Sequence, residues 1–111
     1  MFKVSCIQLK SSNNVKNNFF KTEKFIKKAV RQKTDFILTP EISSLFLLNK
    51  KVLLKKCSSM EKDIYLIGVR KLAKKYKKWV LVGSAIIKLK KDKLVNRSIL
   101  IDPRRSASFF H

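Results

Sequence analysis

The first forty residues follow a strand, helix, strand order, and this order constrains the fold more than any other feature of the chain. Residues 2–9 alternate between apolar and polar side chains, as a β-strand does. From about residue 14 to 32, apolar side chains recur at three- and four-residue steps with lysines between them, which predicts an amphipathic helix. A second apolar run, residues 36–39, stops at Pro40, whose missing N–H cannot extend a central ladder. The order predicts a βαβ unit with a right-handed crossover, and therefore an α/β fold with parallel strands.

The rest of the chain adds a second helix and a hairpin to this prediction. Residues 41–57 are apolar without a clean period, and we expect a loop and a short helix there. Ser58 and Glu61 have the spacing of a capping box and predict a second helix that runs to about Lys78. Residues 79–87 and 94–101 then predict two strands paired as an antiparallel hairpin, which gives about four strands and two main helices. The alternation predicts a shared set of buried strand residues: Val4, Cys6, Ile37, Val80 and Val82.

Charge and cysteine content limit the classes of function. The 111 residues carry 27 Lys+Arg against 7 Asp+Glu, a formal net charge of +20, so we expect nonspecific adhesion to polyanions. The cations include few arginines, as codon bias would produce, and they form doublets along the whole chain, which suits solvated helix faces and loops better than a dedicated nucleic-acid patch. No apolar stretch approaches the roughly 20 residues of a membrane-spanning helix. The N-terminus has no signal-peptide pattern, so we expect a cytoplasmic protein.

Several segments, taken in order, resemble the amino-terminal portion of the nitrilase superfamily, the carbon–nitrogen hydrolases. The segments are Ile7-Gln8, the helix with Asn18, Ile26 and Ala29, Asp35 to Glu41, Leu72-Ala73, Val80 to Ser84, Asn96, and Asp102-Pro103. The resemblance implies an incomplete half of an α-β-β-α sandwich in residues 1–103. Residues 104–111 do not resemble the family. We therefore divide the chain into a hydrolase portion, residues 1–103, and a C-terminal tail, residues 104–111, as a frameshift or truncation would produce.

The resemblance also implies a chemistry, and only one residue of this sequence matches it. Family members use a Glu as general base, a Lys that stabilises negative charge and a nucleophilic Cys to hydrolyse small amides or nitriles, without metal or cofactor. Glu41 occupies the position of the general base, and the residues alone permit another interpretation, a carboxylate at the start of a short helix. No residue of this sequence matches the family's positions for the Lys and the Cys. We expect Cys6 in a strand core, and Cys57, beside two lysines, is a weak candidate for a reactive thiol.

Three functions therefore stand at the level of sequence. The first is a carbon–nitrogen hydrolase fragment that is inactive by itself, so whether this chain alone is an enzyme stays open. The second is a small basic nucleic-acid-binding protein, for which aromatic side chains should interleave with cations on one surface. The third is a non-catalytic partner of an intact homologue or a homo-oligomer, because a half-domain leaves an apolar sheet face uncovered.

Overall fold

The computed structural model of the chain describes residues 2–7, 14–40, 57–59, 62–89, 93–104 and 108–110. In chain order the elements are β1 (Val4–Cys6), α1 (Val15–Arg31), β2 (Phe36–Thr39), α2 (Ile64–Tyr76), β3 (Trp79–Lys88), β4 (Leu94–Ile101) and β5 (Ser108–Phe110). The predicted loop and short helix over residues 41–57 lie almost wholly outside the described residues.

All five strands form one mixed sheet in the order β1-β2-β3-β4-β5. The first three are parallel, with Val4 opposite Phe36 and Phe36 opposite Trp79. β3 and β4 pair antiparallel, as predicted, and so do β4 and β5. The predicted α/β architecture of four strands and two main helices is confirmed, and β5 extends the sheet by one short strand. The domain boundary after residue 103 stays a prediction.

α1 forms where the sequence predicts it because local signals agree with its apolar stripe. The Asn14 side chain accepts a hydrogen bond of 3.0 Å from the Asn17 N–H and so caps the first turn. Its inward face is fully buried, and the members of that face are Asn18, Thr22, Ile26 and Ala29. After the last turn Lys33 adopts a left-handed conformation with φ of 58°, a position that glycine commonly fills.

α2 begins later than the capping box predicted. The N-cap is Asp63, whose Oδ1 accepts the Leu66 N–H at 3.0 Å, so the assignment of the cap to Ser58 was wrong. Both residue types are good caps, and Asp63 has the extended backbone and the buried position that let its carboxylate reach the first turn. The helix ends at Lys77, again in the left-handed region, with φ of 56°.

The two helices pack against each other over one face of the sheet. Gly68 brings α2 close to α1, because a Cβ built there would lie 2.3 Å from the Phe19 ring. Inside this contact the hydroxyls of Thr22 and Tyr65 share a buried hydrogen bond of 2.8 Å. Ile37, Val80 and Val82 are fully buried, as predicted, and join both helices in one apolar core.

The opposite face of the sheet carries apolar side chains that are only partly covered. Val4 is 50% exposed and Cys6 is also exposed, so the prediction that both are core residues was wrong. Their register with β2 explains the difference, because Val4 lies opposite Phe36 and Cys6 opposite Leu38, and both partners are half-buried. This set of strand residues therefore points away from the helices.

Neither α1 nor α2, the helices of the described residues, has the length and apolar character needed to cross a membrane.

Candidate functional site

The candidate site lies at the carboxyl end of β2, the middle one of the three parallel strands. β2 ends at Thr39, Pro40 follows, and the predicted general base, Glu41, is the next residue along the chain. Glu41 itself lies outside the described residues, so its role stays a prediction. The structure describes the scaffold that leads to it. Carboxyl ends of parallel strands are the usual position of sites in α/β folds.

Gly83 of β3 holds this end of β2 by close backbone contact. Its N–H donates a hydrogen bond to Thr39 Oγ1 at 3.2 Å. A Cβ built on Gly83 would lie 2.4 Å from the Thr39 carbonyl oxygen and 2.7 Å from the Pro40 carbonyl carbon. Both are backbone atoms and cannot swing aside, so only glycine fits at this position. The strand end and the peptide that enters Glu41 are thus packed against β3.

β4 fixes Gly83 from the other side. The Ser98 hydroxyl donates a hydrogen bond to the Gly83 carbonyl oxygen at 2.6 Å. The register between β3 and β4 shifts between Val82 and Ala85, which marks a β-bulge around Gly83. Bulges are frequent next to active sites, where they redirect a strand. Thr39, Gly83 and Ser98 therefore form a continuous support that links three strands at the base of the candidate site.

Gly83 and Ser98 position the carboxyl end of β2, and the sequence predicted this role for neither of them. A signal was available for Gly83, because an isolated glycine inside a strand pattern indicates a bulge or a close backbone approach. Ser98 gave no such signal, since a serine that alternates with apolar residues is ordinary on a half-covered strand.

The two cysteines differ in environment. Cys57 is buried, packed against Val15, Ile86 and Leu94. Burial raises the pKa of its thiol, the Asp63 carboxylate raises it further, and Lys88 acts in the opposite direction. Cys57 is therefore held as a thiol, contrary to what its two neighbouring lysines suggested.

Asp63 is a second buried titratable group with a shifted pKa among the described residues. Burial raises the pKa of its carboxyl, while the Leu66 and Tyr65 backbone N–H groups and the Arg70 charge act to lower it. The Asp63 carboxylate accepts a hydrogen bond from the first turn of α2 and serves as the cap of that helix. Within the described ranges, no three His, Cys, Asp or Glu side chains are grouped as metal ligands.

Two cavities lie beside α1. One, of about 340 Å³, lies between β1 and α1 and includes Cys6 and Lys28. The other, of about 400 Å³, lies along the outer surface of α1. Neither includes Thr39, Pro40 or Gly83, so the described scaffold of the candidate site is separate from both.

Comparison with known proteins places this scaffold in a family. A family model described as carbon-nitrogen hydrolase matches residues 3–109. Comparison with curated protein sequences finds no match.

The fold is similar to that of the NitFhit protein of C. elegans, with 24% identity and a TM-score of 0.85 over 99% of this chain and 28% of that chain. XC1258 from Xanthomonas campestris, a CN-hydrolase superfamily protein, has 14% identity and a TM-score of 0.82 over 98% of this chain and 39% of its own. A Nesterenkonia AN1 amidase from the nitrilase superfamily has 13% identity and a TM-score of 0.83 over 99% of this chain and 42% of its own.

At these identities the structural likeness shows the fold alone. This chain spans well under half of each of these solved structures. The likeness confirms the predicted fold class, an α/β portion of the nitrilase-type fold, and the family match extends over nearly all of the sequence. The chain belongs to the carbon–nitrogen hydrolase family.

Proposed function

We propose that this chain supplies the general-base part of a carbon–nitrogen hydrolase centre that acts on small amides or nitriles. The observation that carries the proposal is the contact of Gly83 with Thr39 and Pro40. A backbone that leaves no room for a Cβ at Gly83 fixes the peptide that precedes Glu41. A carboxylate that must accept and return a proton needs such a rigid attachment, because small displacements of a catalytic group lower the rate steeply.

The proposed chemistry needs one group that this sequence contains, Glu41, and two groups, a Cys and a Lys, for which it has no matching residue. A cysteine thiol would attack the carbonyl or nitrile carbon, Glu41 would take the thiol proton and return it to the leaving nitrogen, and a lysine would stabilise the developing oxyanion or its nitrogen counterpart. Water would then release the acyl group from the sulfur. Within these 111 residues only Glu41 has a match to that set, so a second polypeptide segment must provide the Lys and the Cys.

The sheet face opposite the helices suits this division of labour. Along β2 and β3 it presents half-buried apolar side chains, among them Phe36, Leu38, Trp79 and Leu81. A second sheet packed over these residues would bury them, as sheets do when they stack face to face. In that arrangement the segment that supplies the Lys and the Cys would cover this sheet face and would lie near the carboxyl end of β2.

A complementation assay tests the proposal. The chain is incubated with a panel of small aliphatic amides and nitriles, alone and together with the remaining portion of a related hydrolase, and ammonia release is measured. The chain alone should release no ammonia above a protein-free blank, since a lone general base does not replace the nucleophile and the oxyanion stabiliser. The complemented mixture should gain activity.

Matched glutamate variants decide the role of Glu41. Glu41→Gln should abolish the complemented activity, whereas Glu23→Gln, which changes a half-buried surface carboxylate on α1, should retain it. Activity in the complemented mixture that survives Glu41→Gln would contradict the proposal. So would ammonia release by the chain alone at a rate unaffected by that variant.

A further inference from the structure

The outer face of α1 concentrates positive charge. Six cations of this helix are exposed, and they define what we call the basic face of α1: Lys16, Lys21, Lys24, Lys27, Lys28 and Arg31. The helix has one acidic residue, Glu23, which lies 3.8 Å from the Lys27 ammonium. From first to last the cations extend over about 22 Å of helix, at about 1.5 Å per residue. This is a linear series of charges suited to a linear polyanion.

Two phenyl rings are exposed among these cations. Phe20 is 57% exposed and Phe25 is 39% exposed, while the core-facing side of the helix is completed without them. The six residues that line the cavity of about 400 Å³ on this surface are Lys21, Lys24, Phe25, Lys27, Lys28 and Arg31. Aromatic and basic side chains therefore interleave on the surface of α1, as expected of a nucleic-acid-binding surface.

The placement of the two rings distinguishes between polyanions. Phe20 and Phe25 are five residues apart, which at about 100° per residue puts them about 140° apart around the helix axis. A flat bilayer surface would meet one ring and leave the other in water. A duplex keeps its bases stacked inside and offers the rings nothing to stack on. A flexible single strand can curve around the helix and present an unstacked base to each ring.

We propose that the basic face of α1 binds single-stranded nucleic acid, with its cations on the phosphates and with Phe20 and Phe25 stacked on bases. The proposal is independent of the hydrolase function, because α1 contributes no residue to the described scaffold around Gly83. Lysine and arginine contacts to phosphate supply the affinity, and the aromatic rings supply the preference for single strands.

α2 provides a matched control on the same molecule. Its outer face also carries exposed lysines, Lys71, Lys74 and Lys75, but no exposed aromatic ring: Tyr65 is buried, and Tyr76 is half-buried with the Lys75 Nζ 5.3 Å from its ring centroid. If net charge alone governed binding, removal of two cations from α2 would weaken binding as much as removal of two from α1.

Fluorescence anisotropy with a labelled 20-nucleotide single strand, at several salt concentrations, tests the proposal on the whole chain. The double variant Phe20→Ala/Phe25→Ala should weaken binding about fivefold or more for each ring removed, with an unchanged salt slope. Lys24→Gln/Lys28→Gln should weaken binding and lower the slope of log affinity against log salt by about 1.4, that is, about 0.7 for each lost phosphate contact. Lys71→Gln/Lys74→Gln should change that slope by less than half as much. All these side chains are exposed, and an unchanged far-UV circular dichroism spectrum confirms that each variant folds.

Three results would overturn the proposal. Equal losses of affinity in the α1 and α2 lysine variants, with no loss in the phenylalanine variant, would show that binding depends only on the net charge of the protein. Equal competition by a duplex of the same sequence would remove the role of base stacking. Binding to phosphatidylserine vesicles that depends on Phe20, without binding to the oligonucleotide, would identify a membrane surface instead.

Discussion

A methyl group added at Gly83 should separate the end of β2 from β3. In Gly83→Ala the new Cβ would lie 2.4 Å from the Thr39 carbonyl oxygen and 2.7 Å from the Pro40 carbonyl carbon. Because both atoms belong to the backbone, the strands must move apart to relieve the contact. That movement also stretches the hydrogen bond from the Gly83 N–H to Thr39 Oγ1, which already measures 3.2 Å.

The expected loss of stability follows from three contributions. Overpacking in a well-packed region costs about 1–3 kcal/mol, and backbone contacts place this case at the upper end. The weakened hydrogen bond adds about 0.5–1.5 kcal/mol. Alanine reduces the entropy of the unfolded chain and returns about 0.5–1 kcal/mol. We therefore expect the free energy of unfolding to fall by about 3 kcal/mol, a substantial part of the roughly 5–15 kcal/mol of a typical domain.

Urea unfolding followed by tryptophan fluorescence measures this loss, with Gly68→Ala as the control. All samples need one fixed protein concentration, since any self-association makes the midpoint depend on concentration. The atoms nearest to a Cβ at Gly68 belong to the side-chain ring of half-buried Phe19 and not to backbone, so the contact is relieved at lower cost, and alanine gains about 1 kcal/mol of helix propensity. We expect Gly68→Ala to change stability by about 1 kcal/mol or less. A Gly83→Ala variant no less stable than Gly68→Ala would refute the reasoning.

Three further predictions concern other buried groups. Because burial raises the pKa of the Asp63 carboxyl, the folded chain binds a proton more tightly than the unfolded chain does. Stability should therefore fall as pH rises from the ordinary aspartate range through the raised pKa, and Asp63→Asn, which can still cap α2, should lack this part of the pH dependence of urea unfolding. Ellman's reagent should react with Cys6 in a fast phase and with buried Cys57 slowly, so a fast phase lost in Cys57→Ser instead of Cys6→Ser would contradict the assignment. Tyr65→Phe removes the partner of the Thr22 hydroxyl and should lower stability by about 1–2 kcal/mol in the same unfolding assay, and a loss near zero would show that Thr22 finds another partner.

Local signals account for the parts of the fold that the sequence predicted well. β2 ends where Pro40 removes a donor, and its observed bounds, Phe36–Thr39, are the predicted ones. The bounds of β4, Leu94–Ile101, also agree, because a charged turn precedes that apolar run. α1 agrees to within a residue at each end, since its cap and its apolar period coincide.

The errors arose where a pattern leaves a choice that only tertiary packing makes. The period of two shows that Val4 and Cys6 share a face of β1, but it does not tell which face the helices cover. Ser58 and Asp63 are both good caps, and the capping-box spacing favoured the wrong one. For the site, the sequence indicated the strand end that leads to Glu41, but it indicated neither the close packing of Gly83 against that end nor the hydrogen bond from Ser98.

The order of the strands in the sheet has a consequence for how the chain folds. Lys88 pairs with Leu94 only six residues on, whereas Val4 pairs with Phe36 after 32 residues and Phe36 with Trp79 after 43. Closing the long crossovers costs entropy before any contact compensates for it, while a hairpin closes within about 1–10 μs. We expect the β3–β4 hairpin to gain amide protection first and the carboxyl end of β2 last. In pulsed hydrogen exchange, protection of the Leu38 amide as early as that of Val95 would contradict this order. The expected order means that the scaffold of the candidate site is completed only when the whole sheet has formed.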